Sequence, residues 1–226
     1  MEQVSTTLKV AFIAITLLTV WQFYVASQKS KLFLIIISLW MTAQMALGLT
    51  NFYENESTIP SRFVLLIVPA IVLIVIIFAT KTGKIFVNNL SIKELTLLHT
   101  IRIPVEIVLY YLFAAKAIPQ VMTFDGRNFD IVAGMTAPIV FYWGFVKNKL
   151  SNTVLIIWNL VCLGLLANIV IIALLSAKTP FQQFAFEQPN IAVGYFPFNW
   201  LPSVVVPIVL FAHLATLKQL VKVDQR

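Results

Sequence analysis

The sequence predicts an all-α integral membrane protein, a seven-transmembrane-helix bundle with its N-terminus outside and its C-terminus in the cytoplasm. Of the 226 residues, 60% are hydrophobic and only 11% are charged, and the mean hydropathy is +0.91. A soluble domain carries about 25% charged residues, so a water-soluble globule of this size would have too little polar surface to cover itself. This composition excludes a secreted disulfide scaffold, a nucleic-acid-binding domain and a disordered chain, and it makes the lipid bilayer the expected partner.

Seven apolar stretches are long enough to cross a bilayer, which requires about 20 mostly apolar residues per helix. They occupy residues 9–27, 32–50, 62–80, 92–115, 129–146, 152–176 and 199–218. The longest connection, residues 177–198, is too short to fold alone. We therefore expect residues 1–226 to form a single membrane domain.

Lysine and arginine residues are divided unequally between the two sides of the predicted bundle. The side that follows stretches one, three and five, together with the C-terminal tail, has ten: Lys29, Lys31, Lys81, Lys84, Lys93, Lys147, Lys149, Lys218, Lys222 and Arg226. The opposite side has five: Lys9, Arg62, Lys116, Arg127 and Lys178. Because cytoplasmic loops carry the excess of positive charge, the tail is predicted to be cytoplasmic and the protein to lie in the cell membrane with its N-terminus outside.

The first stretch has a second interpretation as a cleaved signal peptide, because residues 25–27 loosely fit a cleavage site. A signal peptide carries its positive charge before the apolar run, whereas Lys29 and Lys31 follow it. Removal of this helix would also invert every later helix against its lysines. The transmembrane interpretation is therefore favoured.

The fourth stretch begins with a helix-capping sequence. Ser91 is expected to cap the helix, and Glu94 to reach back to the cap as in a capping box. Further along, Pro104 has no N–H group, so the carbonyl of Thr100 loses its helical hydrogen bond. This freed carbonyl could bind a cation, water or a polar head group. The proline is equally consistent with a simple kink in the helix that has no ligand.

The same helix carries a polar stripe of His99, Arg102, Glu106 and Tyr110, at spacings of three, four and four. These spacings place the four side chains on one face of an α-helix. Ionisable residues inside a bilayer are costly unless paired and indicate a functional site. Two other interpretations stay open: a structural ion pair between Arg102 and Glu106, and an interfacial position for His99.

The two histidines of the chain, His99 and His213, are predicted at similar depth on two helices, both near the cytoplasmic end. If they face each other, they could ligate haem b axially or exchange a proton. Two histidines without a third suitable ligand make a poor zinc site, so no metal site is predicted. Haem b is the one cofactor that this pair suggests, and the cofactor is otherwise unknown.

The loop before the fifth stretch contains an outer polar cluster of Asp125, Arg127, Asn128 and Asp130. These groups are expected either to form a salt-bridged cap over the bundle or to bind a polar solute. Asn128 or Asp130 is expected to cap the following helix, where a carboxylate suits the helix dipole.

Small residues follow on one side of the fifth stretch, at Ala133, Gly134, Ala137 and Gly144. Such a stripe lets a neighbouring helix approach closely, so we expect it to serve packing. Three buried amides, Gln44, Asn159 and Asn168, are expected to hydrogen-bond to different neighbours.

The last outer loop is rich in aromatic residues and proline, so it is not expected to form a long helix. Its aromatic residues are Phe181, Phe184, Phe186, Tyr195, Phe196, Phe198 and Trp200. Amphipathic rings favour the head-group layer, which predicts an interfacial lid. A more specific alternative is that this loop gates a pocket for a lipid or a quinone.

These features favour a small-solute or proton-linked transporter that uses the stripe on the fourth helix as its polar centre, with Arg102 holding an anionic group and Glu106 exchanging a proton. The small size and the absence of an internal repeat count against it, and a homo-oligomer would offset them. The alternatives are a haem- or quinone-binding redox protein and a non-catalytic sensor or partner subunit. No nucleophile elbow or metal-binding motif indicates an enzyme.

Overall fold

The computed structural model describes residues 3–54 and 62–224, and these residues form an all-helical protein in which 75% of the chain is helix. The α-helices are α1 Thr6–Ala26, α2 Lys31–Leu49, α3 Val68–Ala79, α4 Lys81–Asn88, α5 Ile92–Leu98, α6 Arg102–Ala114, α7 Asp130–Phe141, α8 Asn152–Leu175 and α9 Val206–Asp224. The 3₁₀ segments are Phe52–Glu54, Arg62–Leu66, His99–Ile101, Gln120–Met122 and Ala192–Gly194. Two π-helical segments, Tyr142–Val146 and Leu201–Val205, adjoin α7 and α9.

Within residues 3–54 and 62–224, five helical segments are long and apolar enough to cross a membrane, or six if the bent pair of α3 and α4 is one span, which is fewer than the seven predicted. The five are Thr6–Ala26, Lys31–Leu49, Ile92–Ala114, Asn152–Leu175 and Leu201–Lys222, and they confirm the corresponding predicted stretches to within a few residues. The predicted stretch at 62–80 contains the 3₁₀ segment Arg62–Leu66 and the short helix α3, and the stretch at 129–146 forms a short apolar helix, Asp130–Val146. The count of seven is therefore not established by helix length.

The outer surface of the bundle is apolar. Leu39, Trp21 and Val75 are 68%, 60% and 60% exposed, on three different helices. Soluble monomers rarely expose continuous apolar patches of this kind. The surface is compatible with a bilayer around the helices.

Helix α4 leaves α3 at an angle of 91°. Thr80 has an extended conformation between the two helices, and its hydroxyl accepts a hydrogen bond from the N–H of Gly83. A side chain at Gly83 would collide with the carbonyl of Ile77, so the close turn requires glycine. Because α4 is short and sharply bent away, it does not continue the path of α3.

The fourth predicted helix is interrupted where Pro104 withholds its hydrogen bond. The 3₁₀ segment His99–Ile101 separates α5 from α6 at this point. Ser91 caps α5 as predicted, because its hydroxyl accepts from the N–H of Glu94 at 3.4 Å. The capping box is incomplete, however: the N–H of Ser91 donates to the carbonyl of Ala26 at 3.0 Å.

The small residues of α7 allow the close approach that the sequence predicts. Ala133 and Ala137 are fully buried. A Cβ atom on Gly134 would lie only 2.9 Å from Cγ1 of Ile103 and 3.2 Å from Cβ of Arg102. Helix α7 therefore packs closely against the start of α6, and its N-terminus lies beside the polar stripe.

A proline also removes a backbone hydrogen bond at the start of α9, where the π-helical segment Leu201–Val205 precedes it. Pro207 cannot donate to the carbonyl of Ser203, and the indole N–H of Trp40 donates to that carbonyl at 2.8 Å instead. A side chain of α2 therefore satisfies the backbone group that the proline leaves free, as a bent helix in a bilayer requires.

The predicted amide bonds are present. Oδ1 of Asn159 is bonded to Nδ1 of His213 on α9 at 2.8 Å, and Asn168 donates to the carbonyl of Arg127. Gln44 accepts from the hydroxyl of Tyr53 at 2.6 Å, and burial raises the pKa of Tyr53 to about 12.

The segments rich in lysine meet at one end of the bundle, here called the basic end and defined by residues 26–31, 80–93, 147–151 and 216–222. Gln219 of α9 donates to the carbonyls of Val87 and Leu90 at 2.8 and 3.1 Å, and Ser91 is bonded to Ala26. At the opposite end, Gln188 donates to the carbonyl of Ile118 at 2.6 Å.

The last outer loop is divided into an exposed and a buried part, which corrects the prediction of a lid along its whole length. Phe181 and Phe186 are each 71% exposed, whereas Phe198 and Trp200 are buried. The indole N–H of Trp200 donates to the carbonyl of Met41. The second part of the loop is thus a component of the core.

Candidate functional site

Arg102 lies at the centre of the bundle. It is ten residues after Ile92, about 15 Å along the helix, which is about half the thickness of a bilayer core. Its guanidinium is buried, and Nη1 donates to Oδ1 of Asp130 at 2.8 Å and to the carbonyl of Cys162 at 3.3 Å. Its Nη2 is 2.8 Å from Nε2 of His213. One arginine therefore joins α6, α7, α8 and α9.

These bonds determine the tautomer of His213. A guanidinium has only donors, so Nε2 of His213 accepts from Arg102. The hydrogen of the ring then lies on Nδ1, which donates to Oδ1 of Asn159 at 2.8 Å. His213 is thereby a neutral imidazole held at both nitrogens.

His99 stacks on His213 with ring centroids 3.8 Å apart and an interplanar angle of 13°. The ring of Trp158 meets His99 edge-on at 5.7 Å. Both nitrogens of His99 are buried and have no hydrogen-bond partner in the described part of the chain. The two histidines meet, and His213 lies within α9, which continues to Asp224.

The geometry of the histidine pair does not fit axial haem ligation. Two axial histidines direct a nitrogen lone pair at the iron from opposite sides of the macrocycle, whereas these rings are stacked face to face. In addition, Nε2 of His213 is occupied by Arg102 and Nδ1 by Asn159. Among the described residues, no group of three metal-binding side chains is present either.

Glu106 belongs to a second set of contacts, one turn beyond Arg102. Its Oε1 accepts from Nδ2 of Asn128 at 2.6 Å, and Oδ1 of the same amide accepts from the backbone N–H of Asp130 at 3.0 Å. Oε2 of Glu106 is buried and has no hydrogen-bond partner in residues 3–54 and 62–224. Arg102 is bonded to Asp130, so the alternative of an Arg102–Glu106 pair is wrong.

A cavity of about 70 Å³ adjoins Glu106 and Asp130. Its other walls are mostly apolar and come from α8, α9, the 62–67 segment and the last loop, including Asn190 and Val193. The two carboxyl groups are therefore next to a space that is large enough for a few water molecules.

The connection between α6 and α7 folds into the bundle. Glu106 lies eight residues, about 12 Å, before the end of α6, and yet it is bonded to Asn128 of this connection. Met122, Thr123 and Asn128 are all buried. Non-helical backbone at membrane depth is tolerated where it is enclosed by protein, and discontinuous helices often form binding sites in transporters. The N-terminus of α7 is thus part of the polar site.

The predicted outer polar cluster is divided by this arrangement. Asn128 and Asp130 are buried beside Glu106 and Arg102, whereas Asp125 and Arg127 are exposed. Asp125 accepts from Gln120 at 3.0 Å. The expected salt-bridged cap does not form, because Asp130 is bonded to Arg102 inside the bundle.

Tyr110 is separate from the other members of the predicted stripe. It is 38% exposed and stacks on Phe124 at 5.3 Å. Tyr110 therefore contacts the part of the connection that is exposed at the surface, and not the part that is buried beside Glu106. The central site consists of His99, Arg102, Glu106, Asn128, Asp130 and His213, with Asn159 and Trp158 beside the histidines.

Sequence reasoning did not place Asn159, Trp158 or the carbonyl of Cys162 in the site. Asn159 is a polar residue within an apolar helix, which is the one signal that could have indicated it. Trp158 and a backbone carbonyl carry no such signal. Their roles follow from the packing of α8 alone.

Comparison with known proteins assigns no family: no protein-family model, curated protein or solved structure gives a significant match to the chain. A functional conclusion therefore depends on the site itself. Its geometry combines a fixed ion pair with a carboxyl group that has a free oxygen and adjoins a cavity.

Proposed function

We propose that the chain is a seven-helix protein of the cell membrane that couples proton movement to the passage of a small polar solute. Two short segments would supply the sixth and seventh spans. The 3₁₀ segment Arg62–Leu66 and α3 together measure about 28 Å, and Asp130–Val146 about 25 Å. Both lengths approach the hydrocarbon thickness of about 30 Å.

The proposed orientation has the N-terminus outside and the basic end in the cytoplasm. Its support is the excess of lysine at that end. The 91° bend of α4 agrees with it, because a helix perpendicular to α3 would lie along the membrane surface and carry Lys81 and Lys84 there.

One observation carries the transport proposal: the unpartnered Oε2 of Glu106, buried at membrane depth beside a cavity. A carboxyl group with a free oxygen can bind and release a proton without breaking the ion pair next to it. Buried carboxyl groups of this kind mark proton relays in pumps and transporters.

Arg102 has a different role in this proposal from the one its sequence position suggests. Both of its terminal nitrogens are occupied by Asp130 and His213, so it holds the site together rather than binding a solute. Asn128 holds Glu106 through Oε1 and leaves Oε2 without a hydrogen bond, in a side chain that lines the cavity. The proton-exchanging group is therefore held by an amide, which does not titrate.

The test is proton flux in liposomes that contain the purified protein and a trapped pH-sensitive dye. The wild type is expected to dissipate an imposed pH gradient, and Glu106→Gln to reduce the rate at least tenfold, to the level of empty liposomes. Glu94→Gln, on the same helix path near the basic end, serves as the matched control and should keep the wild-type rate. A wild-type rate in Glu106→Gln, or no flux through the wild type, would overturn the assignment.

A further inference from the structure

A second and larger cavity, of about 220 Å³, lies between α2, α3 and α9. It extends from Trp40 and Pro69 in the middle of the bundle to Phe33 and Phe86 near the basic end. Ile36 and Leu73 are 44% and 43% exposed and line it from facing helices. The cavity therefore opens between α2 and α3 toward the outer, apolar surface.

Among the described residues, the interior of this cavity presents no free polar group. Of these lining residues, Ser203 is the one polar residue apart from Trp40. The carbonyl of Ser203 accepts from the indole of Trp40, and its hydroxyl donates to the carbonyl of Asn199. Since these groups satisfy each other, the cavity suits a hydrocarbon chain and offers no bond to a polar solute.

A lysine cluster lies where the cavity reaches the basic end. Nζ of Lys218 is 5.2 Å from the centre of the Phe78 ring, and it has no hydrogen-bond partner in the described part of the chain. Lys84 and Lys222 are near enough for their charges to repel that of Lys218. Three cations are thus gathered on α4 and α9.

Aromatic contacts connect the lysine cluster to the cavity. The ring of Phe78 meets Phe211 edge-on at 5.5 Å, and Phe211 lines the cavity together with Phe86. Gln219, next to Lys218, is bonded to the end of α4. A cationic site and an apolar cavity are therefore adjacent and share the same helices.

We propose that the basic end binds one anionic phospholipid, with its phosphate between Lys84 and Lys218 and an acyl chain in the cavity between α2 and α3. The positive charge of the lysines favours a negatively charged group, and the apolar cavity favours a hydrocarbon chain. A phospholipid supplies both in one molecule, at the depth where α4 would meet the bilayer surface. Free phosphate would satisfy only the lysines, and a neutral lipid only the cavity.

The experiment is native mass spectrometry of the protein released from nanodiscs that contain equal amounts of phosphatidylglycerol and phosphatidylcholine. One retained phosphatidylglycerol per chain is expected. Lys218→Gln and Lys84→Gln should each weaken its retention relative to phosphatidylcholine about fivefold, since each cation near an anionic surface contributes measurably to binding.

Lys149→Gln is the matched control, because Lys149 also lies at the basic end and its Nζ is 5.1 Å from the Trp143 ring. It should leave the retention of phosphatidylglycerol unchanged. If Lys149→Gln lost as much phosphatidylglycerol as Lys218→Gln, the lipid would be attracted by the basic end in general and not by one site, and the proposal would be overturned.

The acyl-chain part is tested separately with Ala70→Leu, which adds bulk to the cavity wall and keeps every charge. Retention of phosphatidylglycerol should fall at least fivefold while the protein stays monodisperse in detergent. Retention at the wild-type level, or displacement of the lipid by 10-fold excess inorganic phosphate, would show that the chain does not occupy the cavity. None of these results depends on proton flux, so this proposal and the transport proposal can fail independently.

Discussion

The polar centre around Arg102 and the apolar cavity beside α2 and α3 show two different ways of building a helical bundle. Two segments of the polar centre are the most enclosed of the five long apolar segments: 50% of an 18-residue window of Ile92–Ala114 and 61% of one in Leu201–Lys222 are buried, against 17% in Lys31–Leu49. The centre is joined by directional bonds between four helices. In the described part of the chain, α2 is bonded to the segment that precedes α9 but not to α3, and an open cavity separates α2 from α3.

The difference has a physical cause. In a bilayer, lipid tails are as apolar as leucine, so burial of apolar side chains gives little drive for two helices to associate. Small residues that permit close packing and polar groups that bond across helices provide the specificity. The chain concentrates both in α6 and α7, and where both are sparse a lipid chain can compete with a neighbouring helix.

The largest effect is expected when the central ion pair is broken. Arg102→Leu leaves the carboxylate of Asp130 buried without its cation, and such a change costs about 3–5 kcal/mol. The measurement is the free energy of unfolding in mixed detergent micelles.

Two further variants sharpen this comparison. Arg102→Leu combined with Asp130→Leu should recover part of the loss, because no charge is then left unpaired. Arg127→Leu, at an exposed arginine, should change the free energy of unfolding by less than about 0.5 kcal/mol. Equal stability of Arg102→Leu and Arg127→Leu would contradict a central role for the ion pair.

An intermediate effect is expected from Gly134→Ala. The new methyl group would lie 2.9 Å from Cγ1 of Ile103 and 3.0 Å from its backbone nitrogen, and overpacking of this kind costs about 1–3 kcal/mol. Gly164→Ala is the matched control, since no heavy atom lies within 4 Å of a Cβ built there. It should be neutral or stabilise the helix by about 0.5–1 kcal/mol. The same unfolding titration measures both, and the expectation fails if the two variants behave alike.

The smallest effect is expected from Trp40→Phe. The carbonyl of Ser203, which Pro207 leaves without a helical donor, would lose its bond to the indole at a cost of about 1 kcal/mol. Trp21→Phe, at a tryptophan that is 60% exposed, should have no measurable effect. The thermal midpoints of the two variants in detergent check the difference, and equal midpoints would show that the Trp40 bond contributes nothing.

The sequence predicted the helices better than it predicted the site. Apolar length located five spans to within a few residues, because the bilayer sets the length that a helix requires. The spacing of His99, Arg102 and Glu106 predicted that they share one side of a helical segment, and all three side chains are buried inside the bundle. Their partners could not be predicted, since nothing local indicates that Asp130 lies beside Arg102 or Asn159 beside His213.

The inward fold before α7 explains most of the errors. The sequence places residues 116–128 in an outer loop, where polar groups normally meet water. The small residues Ala133 and Gly134 instead let α7 approach α6 so closely that Asn128 and Asp130 reach the interior of the bundle. Tyr110 was assigned to the site and Asn128 and Asp130 to the surface because periodicity describes one helix and not its neighbours.

By itself, the sequence determined that the chain is helical and apolar, where five long apolar segments lie to within a few residues, and which segments carry the lysines. These properties depend on local composition and on the thickness of the bilayer. The tertiary structure alone decided that Arg102 pairs with Asp130, that His213 is held as a neutral imidazole, and that Glu106 keeps one oxygen free beside a cavity. Those properties depend on distances between residues far apart in the chain, which only the packing of the helices sets.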